Sequence, residues 1–314
     1  MDYSGTLRRG WDITWQNKWL FLLTLLPFAV SLISLPLSLL NGAVDPTAAP
    51  AEVVAFAGRS LLLACVSLIL SLFAAILTLV THAARAAGVA RAARGEATGF
   101  GRSWGEGWRA LPRLLGLALL LYVPLIVLFI VAFLVVLVPV TMASLSGDPG
   151  QSGIMAGMGT VGVILFCCLY IAFVLVLILV GCIFTFAGRG IVLRNLGVMA
   201  SLRHGWQVVR ENFGQNILLA LPFGLIYLVL GLVFGALFVL LAFPDGFESA
   251  VMTGNPMMLN GRMLLAYIIY LLPAVVLTTW QGATVTLGYL HWTGKDVLGA
   301  TTTPPDMPPA APLM

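Results

Sequence analysis

Six long stretches of the chain carry no Asp, Glu, Lys or Arg: Trp19 to Val44, Ser60 to Ala84, Leu114 to Gly147, Pro149 to Gly188, Asn212 to Pro244 and Met263 to Gly294. A helix needs about 20 apolar residues to cross the hydrocarbon of a bilayer. The pattern therefore predicts six spans, roughly at 19–40, 60–82, 114–140, 161–187, 217–243 and 263–290, the later four long enough to cross with a tilt. Between spans the sequence turns mixed, and a helical period emerges. Leu7, Trp11 and Trp15 recur at every fourth position, and the sets Trp104, Trp108, Leu111, Leu115 and Leu202, Trp206, Val209, Phe213 recur at three and four. Such stripes predict amphipathic helices lying in the membrane interface.

These pieces repeat. Gly-Trp occurs at Gly10-Trp11, Gly107-Trp108 and Gly205-Trp206, with a proline sixteen residues after each tryptophan, at Pro27, Pro124 and Pro222. An internal repeat decides architecture before any single residue does. The expected fold is an all-α membrane protein of six transmembrane helices, arranged as three same-direction two-helix repeats, each preceded by an interfacial amphipathic helix. One membrane domain covers 1–298, with repeats at about 7–103, 104–201 and 202–298, and a Pro-rich tail over 299–314 is expected to be disordered. The prolines fall inside odd-numbered spans, where loss of a backbone hydrogen bond bends a helix. The outer loops carry turn residues: Asn41-Gly42, Asp45-Pro46, Asp148-Pro149-Gly150, Pro244-Asp245-Gly246 and Asn255-Pro256.

Composition agrees with this pattern. Hydrophobic residues make up 60% of the chain and charged ones 9%, against roughly 45–50% and 25% for soluble domains. Fourteen of the sixteen basic residues fall on one side of the expected topology, leaving only Arg59 and Arg262 opposite. The positive-inside rule places both termini and the two basic loops in the cytoplasm. A net charge of +4 is then a signal of orientation, with some attraction to anionic head groups, and does not point to nucleic acid. No cleavable signal peptide is expected at the N-terminus.

Candidate chemistry is sparse. Arg8 and Arg9 precede Trp11, Arg109 and Arg113 follow Trp108, and Arg203 and Arg210 flank Trp206 in the repeated helices, a pairing suited to anchoring in, or contact with, lipid head groups. Gln281 is the most polar intramembrane residue and needs a partner in hydrocarbon; it is read as an interhelical tie or part of a polar cavity. Gly231-x-x-x-Gly235 has the spacing of close helix contacts. Hydroxyls at Ser31, Ser34, Ser38 and at Ser67, Ser71, Thr78 line helix faces, where they can bond back to their own helix. The four cysteines, Cys65, Cys167, Cys168 and Cys182, lie inside expected spans and are read as packing residues. No metal-ligand spacing, Walker loop, G-x-S-x-G or H-E-x-x-H is present. Neither enzymatic activity nor a cofactor is expected.

The Gly-Trp helix and proline-bearing span, with Arg94-Gly95-Glu96, the run Leu196 to Trp206 and the run Leu287 to Gly294, resemble the bacterial multi-pass family labelled glycerophosphoryl diester phosphodiesterase membrane domain and its uncharacterised relatives. In that family a soluble catalytic barrel can follow the membrane part. This chain has no His-Arg-Gly catalytic segment, so the resemblance implies membrane architecture and a bacterial inner-membrane location without the activity. The expected function is a non-enzymatic membrane protein that binds or organises lipid or a membrane protein partner; the alternative is a transporter of an uncharged or amphipathic solute.

Overall fold

The computed structural model describes residues 2–39, 50–145, 152–242 and 261–294. Among them are eight helices and no strand: α1 Tyr3–Gln16, α2 Trp19–Leu39, α3 Pro50–Ala93, α4 Phe100–Leu145, α5 Ser152–Arg194, α6 Val198–Glu211, α7 Phe213–Ala242 and α8 Gly261–Trp292. Parts of five of them, Phe56–Ala93, Phe100–Val131, Cys167–Arg194, Phe213–Leu241 and Leu265–Trp292, are long and apolar enough to cross a membrane. The remaining expected span coincides with α2. Pro27, Pro124 and Pro222 all lie inside helices, α2, α4 and α7, as does Pro273 in α8.

Two boundaries depart from the sequence reading. α3 and α5 begin at Pro50 and Ser152, well ahead of the expected starts, so part of each segment expected as a loop is helical. Proline suits the first helical position, where its fixed φ is already that of a helix and no N–H is needed, and the following Ala-Glu-Val-Val-Ala-Phe-Ala continues readily. The loops' turn residues, Lys295 and the tail lie outside the described residues.

The second departure concerns the amphipathic helices. α1 ends before α2 and α6 before α7, as expected, but α4 runs without a break from its Gly-Trp turn into its span. Asn17 and Asn212 occupy the two breaks, and Leu114 stands at the equivalent place in α4. An asparagine side chain competes for backbone groups and favours a cap, whereas leucine is a good helix former. Asn17 shows the competition directly: its Nδ2 donates to Ile13 O at 2.9 Å.

Three helices, α3, α5 and α8, stop at a residue with a left-handed backbone: Gly95 (φ 72°), Asn195 (φ 55°) and Gly294 (φ 65°). Glycine adopts this conformation without steric cost and asparagine is the next choice.

The chain divides into two compact units, one of Met1–Leu111 with Asn212–Met314 and one of Pro112–Glu211. In the first, the fully buried side chains include Leu20 and Leu23 of α2, Val80 and Val89 of α3, Leu219 and Phe223 of α7, and Tyr289 of α8. In the second they include Leu114 and Leu117, with Phe186 and Ile191 of α5 also buried. Most lie toward the helix ends that carry the arginines. Along the rest of the long helices large apolar side chains are bare, among them Leu61, Leu68, Ile69 and Leu72 of α3 and Leu225, Leu232 and Leu240 of α7. Contiguous apolar surface of this extent calls for an apolar surrounding.

Candidate functional site

The Gly-Trp helices are built on a buried stripe of small residues. Thr6, Gly10 and Ile13 are buried in α1, Ser103, Gly107 and Ala110 in α4, and Ser201, Gly205 and Val208 in α6. Each glycine sits against an α3, α5 or α8 helix with no room for a Cβ. A Cβ built on Gly10 would lie 2.5 Å from Thr284 Oγ1 and 3.2 Å from Thr284 Cα. On Gly107 it would lie 2.5 Å from Val80 O, and on Gly205 2.7 Å from Ala187 N. For Gly107 and Gly205 the atoms met come from an i, i+4 pair, Val80 with Ala84 and Ile183 with Ala187, whereas for Gly10 all three belong to Thr284.

Beside this buried stripe the tryptophans stay at the surface: Trp11 is 37% exposed, Trp108 44% and Trp206 48%. Trp11 packs edge-on to Trp15 and to Trp280, at 5.4 and 5.2 Å between ring centroids, and Trp108 edge-on to Trp104 at 6.0 Å. Trp280 locks α1 in place by donating its indole N–H to Leu7 O at 2.9 Å. Arg109, Arg203 and Arg210 are exposed and, among the described residues, form no ion pair. Arg113 differs, donating from Nη1 to Asn195 Oδ1 and, at 3.3 Å, to Asn195 O. Arg9 donates to Ala93 O, the final turn of α3, at 2.9 Å. Burial and the nearby charge of Arg194 hold His204 below its ordinary pKa, with Glu211 opposing.

A second constellation, in the first unit, joins four helices. Arg85 of α3 donates from Nη1 to Thr24 Oγ1 of α2 at 3.2 Å and to Thr278 O of α8 at 3.4 Å, and from Nε to Thr81 O at 3.4 Å. Thr279 Oγ1 stands 2.8 Å from Thr24 Oγ1 and 2.7 Å from Val275 O. Tyr227 of α7 reaches Thr278 Oγ1 at 3.0 Å and donates to Gln281 Oε1 at 3.2 Å. Gln281 is thereby an interhelical tie between α7 and α8. The floor of the cluster, Thr24 and Thr279, is buried, while Arg85, Tyr227, Thr278 and Gln281 are only half-buried. A guanidinium offers five N–H groups and keeps its charge, yet every partner here is a neutral oxygen. The ion pairs among the described residues are Arg91 with Glu106 and Glu96, and Arg94 with Glu96; Arg85 has none.

Sequence reasoning singled out Gln281 and missed this cluster. The available signal was Thr81-x-x-x-Arg85 and its counterpart Thr185-x-x-x-Arg189, where Arg189 Nη1 likewise donates four residues back, to Thr185 O at 2.9 Å. Gly231 and Gly235 do not mediate a tight crossing, since a Cβ at either would meet nothing within 4 Å. They line a groove of about 220 Å³ with Phe234, Phe238, Ala266, Tyr267 and Tyr270. Thr78 bonds back to Ala74 O at 2.8 Å, and the side chains of Ser31, Ser34 and Ser38 lie outside the described residues. No group of three His, Cys, Asp or Glu side chains suited to a metal occurs among the described residues.

A family model described as Domain of unknown function (DUF7847) matches residues 4–290. No curated protein and no solved structure matches the chain.

Proposed function

The chain belongs to that family of unknown function, and from its residues we propose that it is a non-enzymatic, multi-pass protein of the bacterial inner membrane that binds and organises lipid at its basic face. The observation that carries the reading is the form of the three Gly-Trp helices. Each holds one face against the bundle through a glycine without room for a side chain and leaves a tryptophan, with arginines nearby, on the surface. Tryptophan favours head-group depth, and each arginine near an anionic surface adds about 1 kcal/mol.

In this reading the chain crosses the membrane six times with both termini cytoplasmic, as three same-direction two-helix repeats. Within the first unit the α4 Gly-Trp turn docks on α3 and α1 on α8, and within the second α6 docks on α5, contacts of one kind that suit such a repeat. The sequence pattern makes the protein kin to the membrane part of the phosphodiesterase family. A transporter would need a membrane-depth cavity lined by hydroxyls, whereas the groove between α7 and α8 is lined by aromatic side chains and small residues.

The test is binding of the purified protein to nanodiscs of graded anionic lipid content, beside a variant with Arg109, Arg113, Arg203 and Arg210 replaced by Gln. The variant is expected to lose most of the preference for anionic discs. Equal preference in both would reduce these arginines to orientation signals and remove the main support for the reading.

A further inference from the structure

We infer that Arg85 is the anchoring cation of a site for a phosphate-type oxyanion, formed where α2, α3, α7 and α8 meet. The inference deepens the lipid-binding reading by giving it a defined head-group site, and it rests on residues other than the surface arginines.

Two observations converge on it. A charge held among apolar helices is costly and is normally balanced by an opposite charge or placed on a ligand path. Arg85 sits there with no carboxylate partner among the described residues, on three hydrogen bonds of 3.2 to 3.4 Å to neutral oxygens. The cluster keeps unused donors. Arg85 Nη2 and Gln281 Nε2 have no partner among the described residues, and both side chains are half-buried rather than sealed.

The two N–H groups left on Arg85 Nη2 can make charge-assisted hydrogen bonds to phosphate oxygens, and the Gln281 amide can donate to a further one. An approaching oxyanion would find Thr24 and Thr279 already engaged with one another and with Val275 O, so the floor of the site is set before the ligand arrives. The chemistry fits either a phospholipid head group or a free phosphate ion.

The experiment uses the full chain purified in a neutral detergent. Native mass spectrometry measures retention of phosphatidylglycerol against phosphatidylcholine, and thermal unfolding is followed with potassium phosphate against potassium chloride at equal ionic strength. Arg85→Gln is expected to weaken phosphatidylglycerol binding by about tenfold or more, the loss typical of a charge-assisted hydrogen bond. Arg85→Lys keeps the charge and loses the fork, so it should fall between the two; it also carries the comparison if Arg85→Gln does not fold. Phosphatidylglycerol retained in excess phosphate identifies the lipid head group as the ligand. Displacement by phosphate, with a rise in Tm that Arg85→Gln lacks, identifies a site that accepts the free ion. Parent-like binding by both Arg85 variants would overturn the inference, as would a parent without preference for phosphatidylglycerol and without a phosphate-dependent Tm. The variant lacking the four surface arginines separates the two proposals. If that variant alone loses anionic lipid, the surface reading stands and the Arg85 site falls; if the Arg85 variants alone lose it, the reverse holds.

Discussion

Gly105 and Gly107 are two residues apart in α4, and replacing each by alanine should move stability in opposite directions. At Gly105 a Cβ would meet nothing within 4 Å. The change there removes the entropic penalty of glycine in a helix and should stabilise by roughly 0.5–1 kcal/mol. At Gly107 the same Cβ would stand 2.5 Å from Val80 O and 3.0 Å from Val80 Cγ1. Ordinary contact begins at 3.4 Å, so α4 would have to retreat from α3 by most of an ångström, or α3 bend its own backbone. Overpacking of this kind costs about 1–3 kcal/mol. The propensity gain is shared by both variants, so the difference between them isolates the steric part. Gly205→Ala should behave like Gly107→Ala, since its nearest atom is Ala187 N at 2.7 Å. Gly10→Ala should be milder, because the atom at 2.5 Å is the Thr284 hydroxyl, which can rotate, and the backbone lies at 3.2 Å. Reversible unfolding in mixed micelles titrated with dodecyl sulfate and followed by circular dichroism gives the comparison. Should Gly107→Ala prove as stable as Gly105→Ala, the docking of the Gly-Trp helices would not depend on the glycine, and the account of the repeat would be wrong.

Tyr227→Phe removes the hydroxyl that joins α7 to Thr278 and Gln281; an interhelical hydrogen bond in a membrane averages about 0.6 kcal/mol, so the same unfolding assay should register a loss of that order and no change in helix content. His204 has its pKa lowered by burial and Arg194, so its neutral form is favoured by folding. That contribution is full above the ordinary histidine pKa of about 6.5 and is lost as pH falls through the lower folded value; an NMR titration of the ring with a midpoint at or above the ordinary value would contradict it. For topology, in a background without the native cysteines, cysteine at position 148 should react with an impermeant reagent on intact cells and cysteine at position 102 should not, and the opposite labelling would invert the orientation.

Sequence alone went far with the long helices, because an uncharged apolar run has few other fates. It went less far where one residue decides between two geometries. Leu114 in place of an asparagine joins two elements into α4, a substitution that leaves the apolar period untouched. The repeated dipeptide was read through its tryptophan, as a membrane anchor, while the packing constraint lies on its glycine, a requirement for empty space that composition cannot express. Gly231 and Gly235 show the converse, a spacing associated with tight contact that here meets open space. Arg85 was counted among the basic residues after the second span. Its neighbours Thr24, Tyr227 and Thr278 come from three other helices, up to 193 residues away, and no local pattern links them.

The contact between α1 and α8 sets an order of events during synthesis. Leu7 O receives the indole N–H of Trp280 across a separation of 273 residues, and Gly10 packs on Thr284. With ribosomes adding about 5–20 residues per second, the first helix leaves the exit tunnel roughly 15 to 55 s before its docking surface exists. Throughout that interval the buried face of α1, with Thr6, Gly10 and Ile13, has no protein to cover it. An amphipathic segment bearing Trp11 and Trp15 can wait at the bilayer surface, shielded by lipid, where an unprotected apolar helix would meet chaperones, proteases or other nascent chains. A later part of the polypeptide then seats an earlier one, so a ribosome that stalls before Trp280 leaves α1 undocked and open to quality control.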